Sequence, residues 1–419
     1  MVDTSPSGSW RSVMGWGASA EQAKLEFVAD RKRGGMTMVA LCEAYGVSRE
    51  AGYELIRRYA ADGVQGLRPR SRAPHRSGRA MAAAIAEAVI ELRRDRPHWG
   101  PKKLRAVLVE RRPEVSWPAP SSIGDLLRRE GLSVARRRRR AALPVSRPFA
   151  PVEAPNDLWC IDFKGWFRTR DGVRCDPLTI TDADSRYLLE CRILPPTLAA
   201  VQPAVDRVFQ EFGLPRAIRS DNGAPFASSG AGGLSRLAVH WLKLGIVLER
   251  IEPGAPQQNG RHERMHATLK AETARPPADS AAEQQARFDA FRRDFNTNRP
   301  HEALGQVPPV RRYHPSPRPF PDKIAEPWYD PDHATRRVRP TGEIKWGGDL
   351  VFVSEALAGE TVGVAETEDG DWIVRFAAVD LGLIDRASKK LRRFAAARPC
   401  RRKPQPEQTK ETVNQVSGP

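Results

Sequence analysis

The sequence predicts a multidomain chain with three fold types in series: all-α first, α/β in the centre and all-β towards the end. Three observations predict it. Up to about residue 133 the apolar residues recur at helical spacing between Gly and Pro breaks. From Ala154, short apolar β-branched runs alternate with amphipathic segments, the pattern of strands and helices in turn. From Thr341, short apolar or alternating runs follow one another around Asp369-Gly370, a hairpin signal, with no helical period between them.

The chain has 419 residues, enough for three or four domains. Its 68 Lys and Arg outnumber its 51 Asp and Glu, giving a net charge of +17 and favouring a polyanionic partner. No run approaches the ~18 apolar residues of a membrane helix, and the polar N-terminus has no signal-peptide core. No membrane association is expected, and the expected location is the bacterial cytoplasm, at the nucleoid. The five scattered cysteines contain no CxxC pair, so neither a disulfide framework nor a structural zinc site is expected.

Residues 19–65 read as three helices. Gly34-Gly35 ends the first, and Gly46-Val47-Ser48 is a tight turn whose serine can cap the third. Helix, glycine turn, helix is the layout of a helix-turn-helix DNA-binding domain. On the third helix Ala51, Leu55 and Tyr59 are placed towards the core, and Arg49, Tyr53 and Arg57 outward, where a recognition helix meets the major groove. The alternative is a plain three-helix bundle with a solvated basic face. Residues 66–80 form an extended basic linker whose Arg68, Arg70 and Arg72 suit phosphates or the minor groove. Residues 81–133 give a second helical unit. Residues 134–150 are an Arg-rich linker, with Arg137, Arg138 and Arg139 inside a run of five that cannot pack in a core.

Residues 151–313 carry the alternating pattern. Strands are expected at Asn156–Trp166, Arg174–Asp182, Tyr187–Leu194, Ala217–Ser220 and Ile246–Arg250. Helices are expected at Ala200–Glu211, Leu234–Leu244, from about Gln258, and at Ala281–Thr297. Asp162 is a lone carboxylate inside an apolar run, costly unless paired or metal-bound. Asp221 ends a short strand at a turn. Glu263 lies on the helix after Pro253–Pro256 and shares a face with His266, Ala267 and Lys270. Three carboxylates are hard oxygen ligands suited to magnesium or manganese. Asn259 and Gly260 shape the turn into that helix, and Lys270 is placed to hold a DNA phosphate. Asp182 is read as a strand-edge residue, Asp184 as a turn residue, and His301 and Glu302 as capping the end of the domain. His262 to His266 also matches HExxH, a zinc-protease pattern, although no third ligand follows.

Ile161-Asp162, Ser220-Asp221-Asn222-Gly223 and Pro256 to Arg264 together resemble the three acidic motifs of bacterial insertion-sequence transposases of the DDE superfamily, with a retroviral-integrase-type core. Thr268-Leu269-Lys270 and Asn296 to Gly305 strengthen the likeness. Asp221 and Glu263 stand 42 positions apart, slightly more than that core usually has, and glycine-rich Ala227 to Gly233 is the expected extra material. The resemblance implies an RNase H-like core over residues 151–313, in which Asp162, Asp221 and Glu263 are both catalytic and metal-binding. They would hold two Mg2+ ions per active site, with Mn2+ substituting. It implies metal-dependent cleavage of double-stranded transposon ends, then attack of the freed 3′-hydroxyl on target DNA. The helical units would bind the terminal inverted repeats, and the working form would be a homodimer or larger synaptic assembly. After a Pro-rich linker at 314–334, residues 335–387 would form a small SH3-like β-barrel, followed by a basic, disordered tail at 388–419. Alternatives are a catalytically silent DNA-binding regulator and an RNase H-type nuclease, although the latter would not need two helical DNA-binding units.

Overall fold

The structure, a computed structural model, describes residues 20–69, 81–133, 151–252, 258 and 260–399. The chain divides into two compact units, residues 1–80 and 81–419. Arg70, Arg72, Arg137, Arg138, Arg139, Asn259, the Pro253–Pro256 turn and the tail beyond residue 399 lie outside the described residues.

The first unit holds helices α1 (Ala20–Arg33), α2 (Met38–Ala44) and α3 (Arg49–Asp62). The Thr37 hydroxyl accepts from the Ala40 amide and the Ser48 hydroxyl from the Ala51 amide, so each of the last two helices starts on a side-chain cap. Phe27, Leu41, Cys42, Leu55 and Leu67 form the core. Arg49, Tyr53, Arg57 and Arg68 are exposed, as expected. Of the expected inward positions of α3, Leu55 is buried and Tyr59 packs partly against the core, but Ala51 is exposed and Gly52 is buried in its place. A Cβ on Gly52 would lie 2.7 Å from Cys42 Sγ and 2.9 Å from Phe27 Cζ. Only glycine lets α3 come this close to its neighbours.

The second unit opens with helices α4 (Ala83–Asp95), α5 (Pro101–Arg111) and α6 (Pro120–Arg129), packed around Val89, Leu92, Leu104, Ile123 and Leu127. This module is fastened to the central domain by charge. Arg96 pairs with Asp294 at 2.7 Å, Lys102 with Glu302, and Glu110 with Arg311, while Lys103 donates to the Pro300 carbonyl.

The central domain is built on β1 (Leu158–Phe163), β4 (Pro177–Asp182), β5 (Leu188–Ile193), β6 (Ala217–Ser220) and β7 (Val247–Arg250), in spatial order β5-β4-β1-β6-β7. The first three form an antiparallel meander, and β6 and β7 add in parallel beyond β1. Helices α7 (Leu198–Phe212) and α8 (Arg236–Lys243) make the crossovers that parallel strands require. The expected strand from Arg174 is interrupted. Its first residues pair as β3 (Arg174–Cys175) with β2 (Phe167–Arg168) in a separate hairpin, and the long strand begins at Pro177.

Alternation along β1 sorts its side chains. Trp159 and Ile161 join Val205, Phe209 and Trp241 in the core under α7 and α8. Cys160 and Asp162 therefore face the other side, which is covered by α9 (Gly260–Thr273) and α10 (Ala281–Thr297) through Met265, Leu269, Phe288 and Phe291. Each fully buried Leu, Phe or Met in these layers contributes about 1.5–3 kcal/mol.

The segment after residue 312 is a strap rather than a free linker. Tyr313 stacks on Tyr187 at 4.4 Å, Phe320 on Phe209 at 6.1 Å, and the Leu214 amide donates to the Arg318 carbonyl at 2.7 Å. Farther on, the Tyr329 hydroxyl donates to the Thr361 carbonyl at 2.7 Å.

The C-terminal strands differ from the expected barrel. β8 (Ala334–Arg337), β11 (Thr361–Glu366), β12 (Trp372–Phe376), β13 (Val379–Ile384) and β14 (Leu391–Pro399) form an open antiparallel sheet, and β9 (Glu343–Trp346) pairs with β10 (Asp349–Phe352) in a hairpin. Val362, Val364, Val374, Phe376 and Leu381 of the sheet share one core with Ile344 and Val351 of the hairpin. Ala231, Leu234, Ala238 and Leu242 of the central domain complete that core. A sheet covered in this way buries its apolar face without closing on itself. The glycine-rich segment 227–233 is thus a docking piece: Gly232 and Gly233 turn with φ of +62° and +68°, and a Cβ on Gly232 would sit 3.3 Å from Leu381. Residues 391–399, expected to belong to a disordered tail, instead pair along β13 and cover what would otherwise be an open edge.

Candidate active site

Three elements deliver the three sequence-predicted acids. Asp162 is the fifth residue of β1, opposite Thr179 of β4. Asp221 follows β6, and its Oδ1 accepts from the Gly223 amide at 3.1 Å, which fixes the turn. Glu263 lies in the first turn of α9 and is exposed. Asp221 and Glu263 both act electrostatically on Asp162. Burial first, then Asp221 and also Glu263, push the Asp162 carboxyl up to about 7, against the opposing pull of the Phe163 amide and Lys164. A carboxyl raised by two neighbouring carboxylates marks a place of concentrated negative potential.

Lys164, two residues beyond Asp162, was not singled out from the sequence. Its ammonium is held below the usual lysine range by burial and by Lys270, so the two lysines stand near each other beside the acids. The signal was present: alternation along β1 puts residue 164 on the Asp162 side.

The flanks of the loop between β7 and α9 are stapled to the strands beneath. Arg219 grips Glu249 with Nη2 at 2.7 Å and reaches the Gln258 carbonyl at 3.3 Å. The Gln258 side chain accepts from the Glu252 amide at 2.8 Å, and Asn222 donates to the Ile251 carbonyl at 2.6 Å.

His262 and His266 do not form a protease site. Thr179 Oγ1 donates to the Asp162 carbonyl at 3.1 Å, so its single proton is spent. It lies 2.8 Å from His262 Nε2 and 2.7 Å from His266 Nε2, and can only accept from both. Each imidazole therefore carries its proton on Nε2, and His262 Nδ1 accepts from the Thr181 hydroxyl at 2.8 Å. Burial holds both rings neutral, pulling His262 down to about 3 and His266 to about 2. Asp162, His262 and His266 each bring a ligand atom within 4.8 Å of the others, but both nitrogens of His262 are already occupied, and Glu263 is exposed while both histidines are buried. His266, expected on the Glu263 face, is turned inward, and its Nδ1 lies 3.9 Å from Asp162 Oδ2.

The neighbouring candidates resolve as structural. Asp182 is buried and accepts from the Asn156 amide and from the Ser185 amide and hydroxyl. Asp184 is gripped by Nε and Nη2 of Arg312 at 2.6 and 2.8 Å. His301 packs edge-on against Phe295, and Glu302 pairs with Lys102.

Comparison with known proteins agrees with this architecture. The Integrase core domain family matches residues 244–309, a Helix-turn-helix domain family residues 23–75 and a Homeodomain-like domain family residues 51–127. An uncharacterized 31.7 kDa protein of insertion element IS407 from Burkholderia multivorans (strain ATCC 17616 / 249) is 31% identical over 230 residues, 54% of this chain and 79% of that one. An uncharacterized 39.2 kDa protein of insertion element IS476 from Xanthomonas euvesicatoria is 29% identical over 233 residues, 54% of this chain and 64% of that one. Among solved structures, the catalytic core domain of BIV integrase is 21% identical with a TM-score of 0.29, covering 37% of this chain and 92% of that one. The central domain is an integrase core preceded by helix-turn-helix units. The chain belongs to the insertion-sequence transposases that carry such a core.

Proposed function

We propose that the chain binds the ends of its own element and catalyses divalent-cation-dependent DNA cleavage and strand transfer, with Asp162, Asp221 and Glu263 as the catalytic acids and metal ligands. The observation that carries this reading is that Asp221 on the β6 turn and Glu263 on α9 both add to burial in raising the carboxyl of Asp162 on β1. The donor set fits magnesium or manganese, since all three groups offer hard oxygens and the partly buried Asp162 carboxyl, with two like charges acting on it, favours a cation. A bound divalent ion would lower the pKa of an attacking hydroxyl and offset charge on the leaving oxygen.

The chain's own residues supply the rest. Lys164 and Lys270 hold the backbone phosphate beside the acids. The stapled flanks of the loop before α9 orient Glu263, and Gly260 lets DNA approach the start of that helix. No Ser or Tyr nucleophile is needed, because the attacking oxygen comes from water or from a DNA 3′-end. Exposed Arg49, Tyr53 and Arg57 on α3 enter the major groove of the terminal repeats, with Arg68 and the basic linker on phosphates. The C-terminal sheet takes the place of a small barrel, and joining two ends requires at least a homodimer.

The test is a magnesium-dependent strand-transfer assay on DNA flanking the gene, with Asp162→Asn, Asp221→Asn and Glu263→Gln. Joined product from the native chain, and none from variants that still bind ends, supports the assignment. A variant that joins ends at the native rate removes its residue from the site. End binding with no product from the native chain favours the silent regulator.

A further inference from the structure

A cavity of about 420 Å3 lies at the seam between the α4–α6 module and the central domain, and it shares no residue with the acidic cluster. Lys103 lines it from α5, and Arg186, Arg261, Arg264, Arg299 and His301 line it from the central domain. Its carboxylates are already engaged. Asp182 carries three hydrogen bonds, and Glu302 pairs with Lys102. Nearby Asp184 is held by Arg312, and Glu272 takes Arg299 at 2.6 Å. Among the described residues, none of Arg186, Arg261 and Arg264 makes an ion pair. Arg186 and Arg261 instead converge on one carbonyl, that of Ala183, at 2.7 and 3.3 Å. Two guanidinium groups on a single neutral acceptor repel each other, and Arg186 is held below the usual arginine range by burial and by Arg261. Lys103 is lowered to about 8, by burial first and then by Arg299. His301 Nε2 is buried without a partner, and burial together with Lys103, Arg299 and Arg186 keeps the ring neutral.

We propose that this cavity is a binding site for a phosphate oxyanion, which bridges the second helical module and the central domain. Convergent guanidinium groups give the planar, bidentate recognition that phosphate oxygens favour. An anion there would offset the cations around His301, allowing Nε2 to take a proton and donate to it. Lys103 from one module and the arginines from the other would then share one ligand. The same oxyanion chemistry is offered by a free polyphosphate and by a backbone phosphodiester of bound DNA.

The test uses the full chain in EDTA at constant ionic strength, with pyrophosphate as probe, and the double substitution Arg261→Gln with Arg264→Gln. Both side chains are exposed, so the fold is expected to survive, which far-UV circular dichroism checks. Pyrophosphate should bind the native chain saturably by calorimetry, and each lost guanidinium should weaken it about tenfold. The DNA arm measures end binding against salt: if DNA supplies the phosphate, the slope of log K on log salt falls by about one in the variant. Binding of pyrophosphate that the double substitution weakens assigns a free anion, a reduced slope alone assigns a DNA phosphate, and binding that the variant keeps in full with an unchanged slope overturns the proposal. No pyrophosphate binding together with an unchanged slope overturns the proposal. None of these readouts requires strand transfer, so the outcome is separable from that of the acidic site.

Discussion

Asp162→Asn should stabilise the metal-free protein increasingly as pH rises above about 4, and in full above about 7. The carboxyl sits at about 7 in the fold against 3.8 for an unperturbed group. Below pH 3.8 it is protonated in both folded and unfolded chains and costs nothing. Between 3.8 and 7 the unfolded chain ionises first, so stability falls as pH rises. Above 7 the cost is complete, about 4 kcal/mol. The Asp162 side chain is 23% exposed, so solvent screening removes only part of this. Asparagine keeps the shape and carries no charge. In EDTA at pH 8 the transition of the central domain should rise by about 10 °C, at about 2–4 °C per kcal/mol, while at pH 4 the two proteins should melt together. Magnesium should raise the native transition and leave that of the variant nearly unmoved. Differential scanning calorimetry at the two pH values reads all of this. An Asn variant that melts below the native chain at pH 8 by the same margin as at pH 4 would refute the electrostatic argument, because the ionised carboxyl would then carry no cost from burial or from its acidic neighbours.

Three further outcomes follow from packing. Thr179→Val removes the acceptor of two buried imidazole N–H groups and should cost about 1–3 kcal/mol for each, measured by denaturant unfolding; a neutral effect would contradict the Nε2 tautomers. Gly52→Ala forces a methyl against Cys42 and Phe27 and should destabilise residues 20–69 by about 1–3 kcal/mol in thermal melts. Gly232→Val strains a backbone at φ +62° and crowds Leu381, so limited proteolysis should cut faster between the strap and β8. An unchanged digestion rate would mean that the segment 227–233 does not hold the sheet.

The sequence was most informative where residue type and period agree. Lone carboxylates in apolar strands, such as Asp162, stand out because burial makes them expensive. The order of strands and helices followed from the alternation of periods 2 and 3.6. What was hidden depended on partners distant in the chain. The inward phase of α3 turned on Gly52 rather than Ala51, because the close neighbours that exclude a side chain lie on α1 and α2. The role of His262 and His266 needed the register of β4, which brings Thr179 opposite Asp162 and Thr181 opposite Cys160. Residues 391–399 are basic and read as solvated, yet an unpaired strand edge at β13 recruits their backbone irrespective of side-chain charge. The C-terminal sheet stayed open because another domain supplied its cover, which no local pattern in residues 335–387 could signal.

The stretch between β6 and α8 also redraws what counts as a module. Its glycines seat the C-terminal sheet, and its first residues carry the turn that bears Asp221, with Phe226 anchoring the stretch between them in the central core. The structural part that includes the sheet is therefore discontinuous in sequence, drawing on residues 227–243 as well as 334–399. A chimera that exchanges only the C-terminal segment between relatives would separate the sheet from its seat. One that carries residues 227–243 with it would transplant the sheet intact and cut the chain just beyond the turn that bears Asp221.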